Sequence, residues 1–275
     1  MRRPSSYIAG ATLALAVGLG PITALPSMAG GLFGDGPLTL QAGGFIAIAP
    51  EYEGSDEYRV IGLPFIAPAG DLGLLPKGFI DFRGPSDVRF RVLKYNGFEL
   101  GPVAGYRFDR EQDDGDLLRG LGDVDGGLIL GAFASYGTGP FKAFASYQHQ
   151  VTGDDTGAVV DFGAEARFKP SPILSLRTTV GAVWASEDYN QAYFGITAAQ
   201  ETTSLAGLVE EDVDAGIKDV YIGLNGDVLL SDRWTLKLNA RYSRLVGDAG
   251  DSQVVEAEDQ FFGGLGLTYK FTLDR

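Results

Sequence analysis

Residues 234–245 read Trp-Thr-Leu-Lys-Leu-Asn-Ala-Arg-Tyr-Ser-Arg-Leu. Trp234, Leu236, Leu238, Ala240 and Tyr242 alternate with Thr235, Lys237, Asn239, Arg241 and Ser243. Only a period of 2 separates the two sets, so the stretch predicts a strand with one apolar and one polar face. The pattern recurs. Val220, Ile222, Leu224, Val228 and Leu230 oppose Asp219, Tyr221, Asn225 and Asp227 within 217–230. Segments 158–168, 87–92, 173–185 and 261–271 alternate likewise, and weaker candidates lie at 38–49, 57–67, 78–84, 98–108, 127–137 and 141–151.

The chain opens Met-Arg-Arg, continues with an apolar run from Ile8 to Leu19, and reaches Ser27-Met28-Ala29. A charged start, a short apolar core and a small-x-small site predict a cleaved secretory signal peptide over 1–29, leaving 30–275 as the folded part. Beyond it no apolar run approaches the roughly 18 residues of a spanning helix, so a bilayer would be crossed by strands. Alternating strands behind a secretory leader predict an all-β, antiparallel transmembrane β-barrel of about 12 strands, apolar toward lipid and polar toward the lumen.

The links fit that arrangement. Asn96-Gly97 is a type I′ hairpin signal, and 137–140, 169–172 and 231–233 are short turns. Between them run the longer links 109–126, 152–157, 186–216 and 247–260. Short periplasmic turns and long outer loops are the outer-membrane pattern. Taking 186–216 as one excursion gives 12 strands and both ends on the periplasmic side, with Tyr193-Phe194-Gly195-Ile196 in a loop or folded into the lumen. Tyr95, Trp184, Trp234, Tyr242 and Tyr269 near strand ends fit interface girdles.

Charge and composition exclude other classes. The net charge is −14, and loss of Arg2 and Arg3 with the leader makes the mature chain more acidic. Nucleic acid is therefore not a partner, since phosphate binding needs a basic face. With no Cys, this exported chain must hold itself by burial and hydrogen bonds. The lone His149 has Ser146 three residues away, which period 2 places on the opposite face. That argues against a hydrolase pair. Loop 109–126 carries Asp109, Glu111, Asp113, Asp114, Asp116, Asp123 and Asp125. A twelve-residue calcium loop from Asp113 would need Glu at 124, which is Val, so the favoured reading is a solvated acidic loop. Arg89, Arg91, Lys142, Asp161, Glu165, Arg167, Arg177, Asp219, Asp227, Lys237, Arg241 and Lys270 fall on the presumed lumen face, where mixed signs can pair and plug the interior or line a narrow pore. No catalytic, cofactor-binding or metal-ligating set stands out.

Several motifs resemble a known family. Tyr242–Ser252 (Tyr-Ser-Arg-Leu-Val-Gly-Asp-Ala-Gly-Asp-Ser) and Phe261–Phe271 are similar to the C-terminal signature of the MipA/OmpV family. So are Ala185–Tyr189 with Tyr193–Thr197, Tyr52–Tyr58 and Leu117–Asp125. Gln253 stands where the family often has Pro, and Thr272–Arg275 follow the last aromatic, Phe271. The resemblance implies a non-enzymatic outer-membrane β-barrel of a Gram-negative bacterium, surrounded by outer-membrane lipid. It further implies a structural role, linking a periplasmic murein transglycosylase to a penicillin-binding murein synthase. The alternative is a porin-like channel for small solutes, and below it a lipid hydrolase.

Overall fold

The computed structural model describes residues 38–69, 78–154 and 156–273. The expected leader lies outside them. Thirteen strands form one antiparallel sheet: β1 Leu38–Pro50, β2 Tyr58–Pro68, β3 Ile80–Gly84, β4 Asp87–Phe90, β5 Leu93–Tyr95, β6 Phe98–Arg107, β7 Gly127–Thr138, β8 Phe141–Gln150, β9 Ala158–Ser171, β10 Leu174–Ala185, β11 Gly216–Leu229, β12 Trp234–Leu245 and β13 Asp259–Leu273. From β6 to β13 neighbours in sequence are neighbours in space, and β1 pairs with both β2 and β13, Leu38 opposite Leu273.

The strand predicted at 87–92 is β4, Asp87–Phe90, and the pass resumes after a break as β5. β4 and β5 both pair with β6, so they are two halves of one pass, and the sheet makes twelve passes. The break has a cause on the neighbouring strand. Leu100 accepts from the Val92 amide, so by alternation the backbone of Pro102 faces the same side, and Pro has no N–H to offer there.

The stretch 234–245 lies between β11 and β13. Asp227 stands opposite Lys237 and Gly226 opposite Leu238, which keeps the two faces separate along the sheet. The apolar face is on the outside. Ile222, Val180, Leu130 and Leu265 each show about half of their surface or more. A soluble sheet of this size would bury them; an exposed apolar belt on a curled sheet is a lipid-facing surface. Aromatic pairs rim it, with Trp234–Tyr269 and Phe98–Tyr136 at the short-turn end and Tyr242–Phe261 at the long-loop end. The curl brings the two ends of the strand order together: the rings of Phe65 on β2 and Phe82 on β3 meet edge to face at 5.4 Å, although no ladder joins β2 to β3 among the described residues.

The Asn96-Gly97 turn has positive φ at both residues (48° and 86°), as a type I′ hairpin requires. The link 186–216 is one excursion, as strand parity demands, but it is not a plain loop. It holds helices α1 Glu187–Phe194 and α2 Ala198–Thr203. Ser186 caps α1 by accepting from the Tyr189 amide, with Glu187 and Asp188 in the first turn. Thr197 and Gln200 form a reciprocal capping box on α2. A short third helix, α3 Gly247–Asp251, follows β12.

Candidate functional site

Two constellations occupy the inside of the curled sheet: a charged network across the lumen and a packed cap at the long-loop end.

The network gathers most of the charged residues predicted by strand phase, with Asp81, Arg83, Asp87 and Lys218 added and Lys270 outside it. On the β3–β4 hairpin, Arg83 reaches Glu165 of β9 at 2.9 Å, and Asp81 takes Arg91 at 2.9 Å and Arg177 of β10 at 4.0 Å. Arg89 forks onto Asp87, with nitrogen–oxygen distances of 2.7 to 3.1 Å. Its guanidinium lies over the rings of Phe133 and Phe144. Asp161 accepts from the Tyr221 hydroxyl at 2.6 Å, Arg241 stacks on the Tyr221 ring, and Asp219 joins Arg241 to Lys218. The Arg83–Glu165 and Asp81–Arg177 pairs connect strands far apart in the sheet order, so they brace the lumen from side to side. Arg89 is 1% exposed and Glu165 2%. Charges so placed are tolerated because each has an opposite partner. Asp227 and Lys237 pair with each other at 3.0 Å in a more open part of the lumen.

The cap is where the apolar core sits. Tyr52, Leu118, Leu121, Tyr189, Tyr193, Phe194, Ile196, Val213, Ala249 and Val254 form one cluster with the strand-end residues Val159, Val183, Ala185 and Leu245. Polar ties cross it. The Tyr52 hydroxyl reaches the Val254 carbonyl and the Glu256 carboxylate, each at 3.0 Å. Tyr189 donates to Glu53 at 2.8 Å, and Lys218 pairs with the same carboxylate. Arg110 donates to the Tyr193 carbonyl at 3.0 Å, and Ser252 to that of Phe194 at 2.5 Å. Arg107 lies 4.7 Å above the Tyr189 ring. Burial and the neighbouring carboxylate push the Tyr52 and Tyr189 hydroxyls up, and burial takes Tyr193 to about 12.

Sequence reasoning found the motifs in 52–58, 117–125, 185–197 and 242–252 but not that they converge. The cap brings all four together. Gln253 shows what replaces proline at that position. Its amide N–H donates to Glu211 at 3.0 Å, and its side chain bonds Val209 and Glu211; proline could make none of these. The acids of 109–126 serve the loop's own geometry. Asp114 pairs with Arg59 and accepts the Glu111 amide, while Asp123 accepts the Gln112 amide. Among the described residues no group of three or more His, Asp or Glu is arranged to hold a metal. Ser146 faces the lumen, fully buried. His149 pairs with the outward-facing Leu130, so the two lie on opposite faces, as period 2 predicts.

The family described as MltA-interacting protein MipA matches residues 42–271. The chain belongs to the MipA family. Among its relatives are outer membrane protein Omp26La of Vibrio anguillarum (25% identical over 58% of this chain and 61% of that one) and outer membrane protein OmpV of Vibrio cholerae (24%, over 58% and 61%). The MltA-interacting protein of Escherichia coli is 25% identical over 59% of this chain and 64% of its own length. The chain thus spans somewhat over three fifths of the length of the curated relatives it matches. As a MipA-family member it is an outer-membrane β-barrel, and its short turns, including 96–97, 139–140 and 231–233, lie together at one end of it, opposite the long loops.

Proposed function

We propose that this MipA-family barrel is a non-conducting, non-enzymatic scaffold. Its wall anchors short periplasmic turns that hold a lytic murein transglycosylase, and beside it a penicillin-binding murein synthase. The observation that carries the reading is the cross-braced lumen: Arg83 meets Glu165 across it, beneath a packed cap at the outer mouth. A conduit would leave that path open. The name of the Escherichia coli relative, MltA-interacting protein, supports a transglycosylase as partner. Two measurements test the reading. The refolded chain in planar bilayers is expected to give no discrete conductance steps, and steps would favour a porin-like channel. A pull-down from crosslinked envelopes is expected to recover a murein enzyme, and its failure to do so would remove the scaffold role.

A further inference from the structure

Charge is divided between the two ends of this molecule. Two thirds of its 36 acidic residues lie in the long-loop segments 51–57, 108–126, 151–157, 186–215 and 246–258, which hold two of its 22 basic residues, Arg110 and Arg119. A strand of 12 residues such as β12 rises about 40 Å, several times the roughly 8 Å screening length of physiological salt. The acidic loops therefore do not neutralise the periplasmic end.

At that end, between the turns 96–97 and 139–140, is a cavity of about 200 Å³ lined by Lys94, Gly97, Glu99, Gly137, Lys142 and Arg167. Backbone bonds hold its walls. The Gly137 amide donates to the Gly97 carbonyl, and the Arg167 amide to the Pro140 carbonyl, each at 2.9 Å. Gly97 is at φ +86°, and a Cβ there would stand 2.4 Å from the Gly137 carbonyl oxygen, so the two turns can close together only on glycine. The carboxylates at this place are already paired. The Glu99 side chain is 8% exposed beneath Lys142 and Lys94, and that of Glu165 is 0% exposed beneath Arg167. The cations remain in view: the Lys94 side chain is 72% exposed and that of Arg167 45%.

We infer that this cleft is a carboxylate-binding site on the periplasmic face, and that its occupant is an acidic segment of a protein partner. Two exposed cations on separate strands above buried, already paired carboxylates suit acidic side chains. The cleft is open to solvent, and its volume of about 200 Å³ has room for the acidic side chains of a segment that runs across it. The inference rests on the scaffold reading and names the surface it uses.

The probe is a fluorescein-labelled, Glu-rich peptide, read by anisotropy against the full chain in nanodiscs of zwitterionic lipid. Wild type is expected to bind. Lys94→Glu combined with Arg167→Glu is expected to weaken binding tenfold or more, and Arg233→Glu, on another periplasmic turn, less than twofold. Heat-modifiable migration in gels reports whether each variant folds. If the double variant does not, Lys94→Gln, which leaves Glu99 paired with Arg91 and Lys142, is expected to weaken binding about threefold. Absence of wild-type binding, or an equal loss in Arg233→Glu, overturns the site. Loss of peptide binding when anionic phospholipid is added to the discs assigns the cleft to lipid phosphate and also overturns it. The envelope pull-down separates the two claims. Capture of a murein enzyme by wild type and Lys94→Gln alike, with no peptide bound, leaves the scaffold standing and removes the cleft. Peptide binding without capture does the reverse.

Discussion

Phe194 is fully buried at the centre of the cap, and its carbonyl takes the Ser252 hydroxyl. Phe194→Ala is expected to cost about 3–5 kcal/mol of cap stability, read as faster proteolysis within 187–214 of the folded barrel. Gly120 carries a subtler constraint. It has φ +89°, and a Cβ there would fall 2.0 Å from the Thr203 carbonyl oxygen. Gly120→Ala is therefore expected to detach loop 108–126 from α2, and proteolysis in that loop checks it. Tyr193 sets a pH limit. Its folded-state pKa of about 12 lies above the usual value near 10. The stabilisation is fully present below pH 10 and is lost as pH rises from 10 to 12. Tyrosinate absorbance followed against proteolysis should place cap loosening in that window, and loosening centred below pH 9 would exclude Tyr193 as its cause.

At the scale of elements, helix α1 depends on Ser186, whose hydroxyl oxygen accepts the Tyr189 amide and also that of Ala158 on β9. Ser186→Ala is expected to cost about 1 kcal/mol, with earlier hydrogen exchange across 187–194. The strands were legible in the sequence because period 2 is a local property, plain in Trp234–Tyr242. The helices were also written there, in Ser186-Glu187-Asp188 and in Thr197-x-x-Gln200, but β alternation drew attention from those cap signals. The β4–β5 break was not legible in 87–95 at all, because its cause, Pro102, lies on the strand alongside. Strand phase placed Arg89, Glu165 and Arg177 on the lumen face correctly. Which of them pair depends on how far the sheet curls, and no local pattern carries that. The cap's core was hidden for the same reason: Tyr52, Leu118, Phe194 and Val254 come from four separate links.

At the scale of the whole molecule, the apolar surface a soluble protein would hide faces outward, and a packed cluster of buried apolar residues sits at the long-loop end. Glu165 joins these parts. It is the buried partner of both Arg83 and Arg167. Glu165→Ala leaves Arg83 with Asp81 as its remaining carboxylate and is expected to cost about 1–3 kcal/mol. A lowered urea midpoint in detergent, together with new conductance steps, would show that the ion pairs both stabilise and occlude the barrel.

The ring contact of Phe65 with Phe82 has a mechanical consequence. A wall hydrogen-bonded all the way round resists spreading by hoop tension shared among its ladders. Among the described residues this wall is a split ring, its edges meeting through two aromatic side chains, and the load falls on tie rods across the diameter, the Arg83–Glu165 and Arg177–Asp81 pairs. Its stiffness against being pried open is therefore set by a few charges and not by a count of backbone bonds.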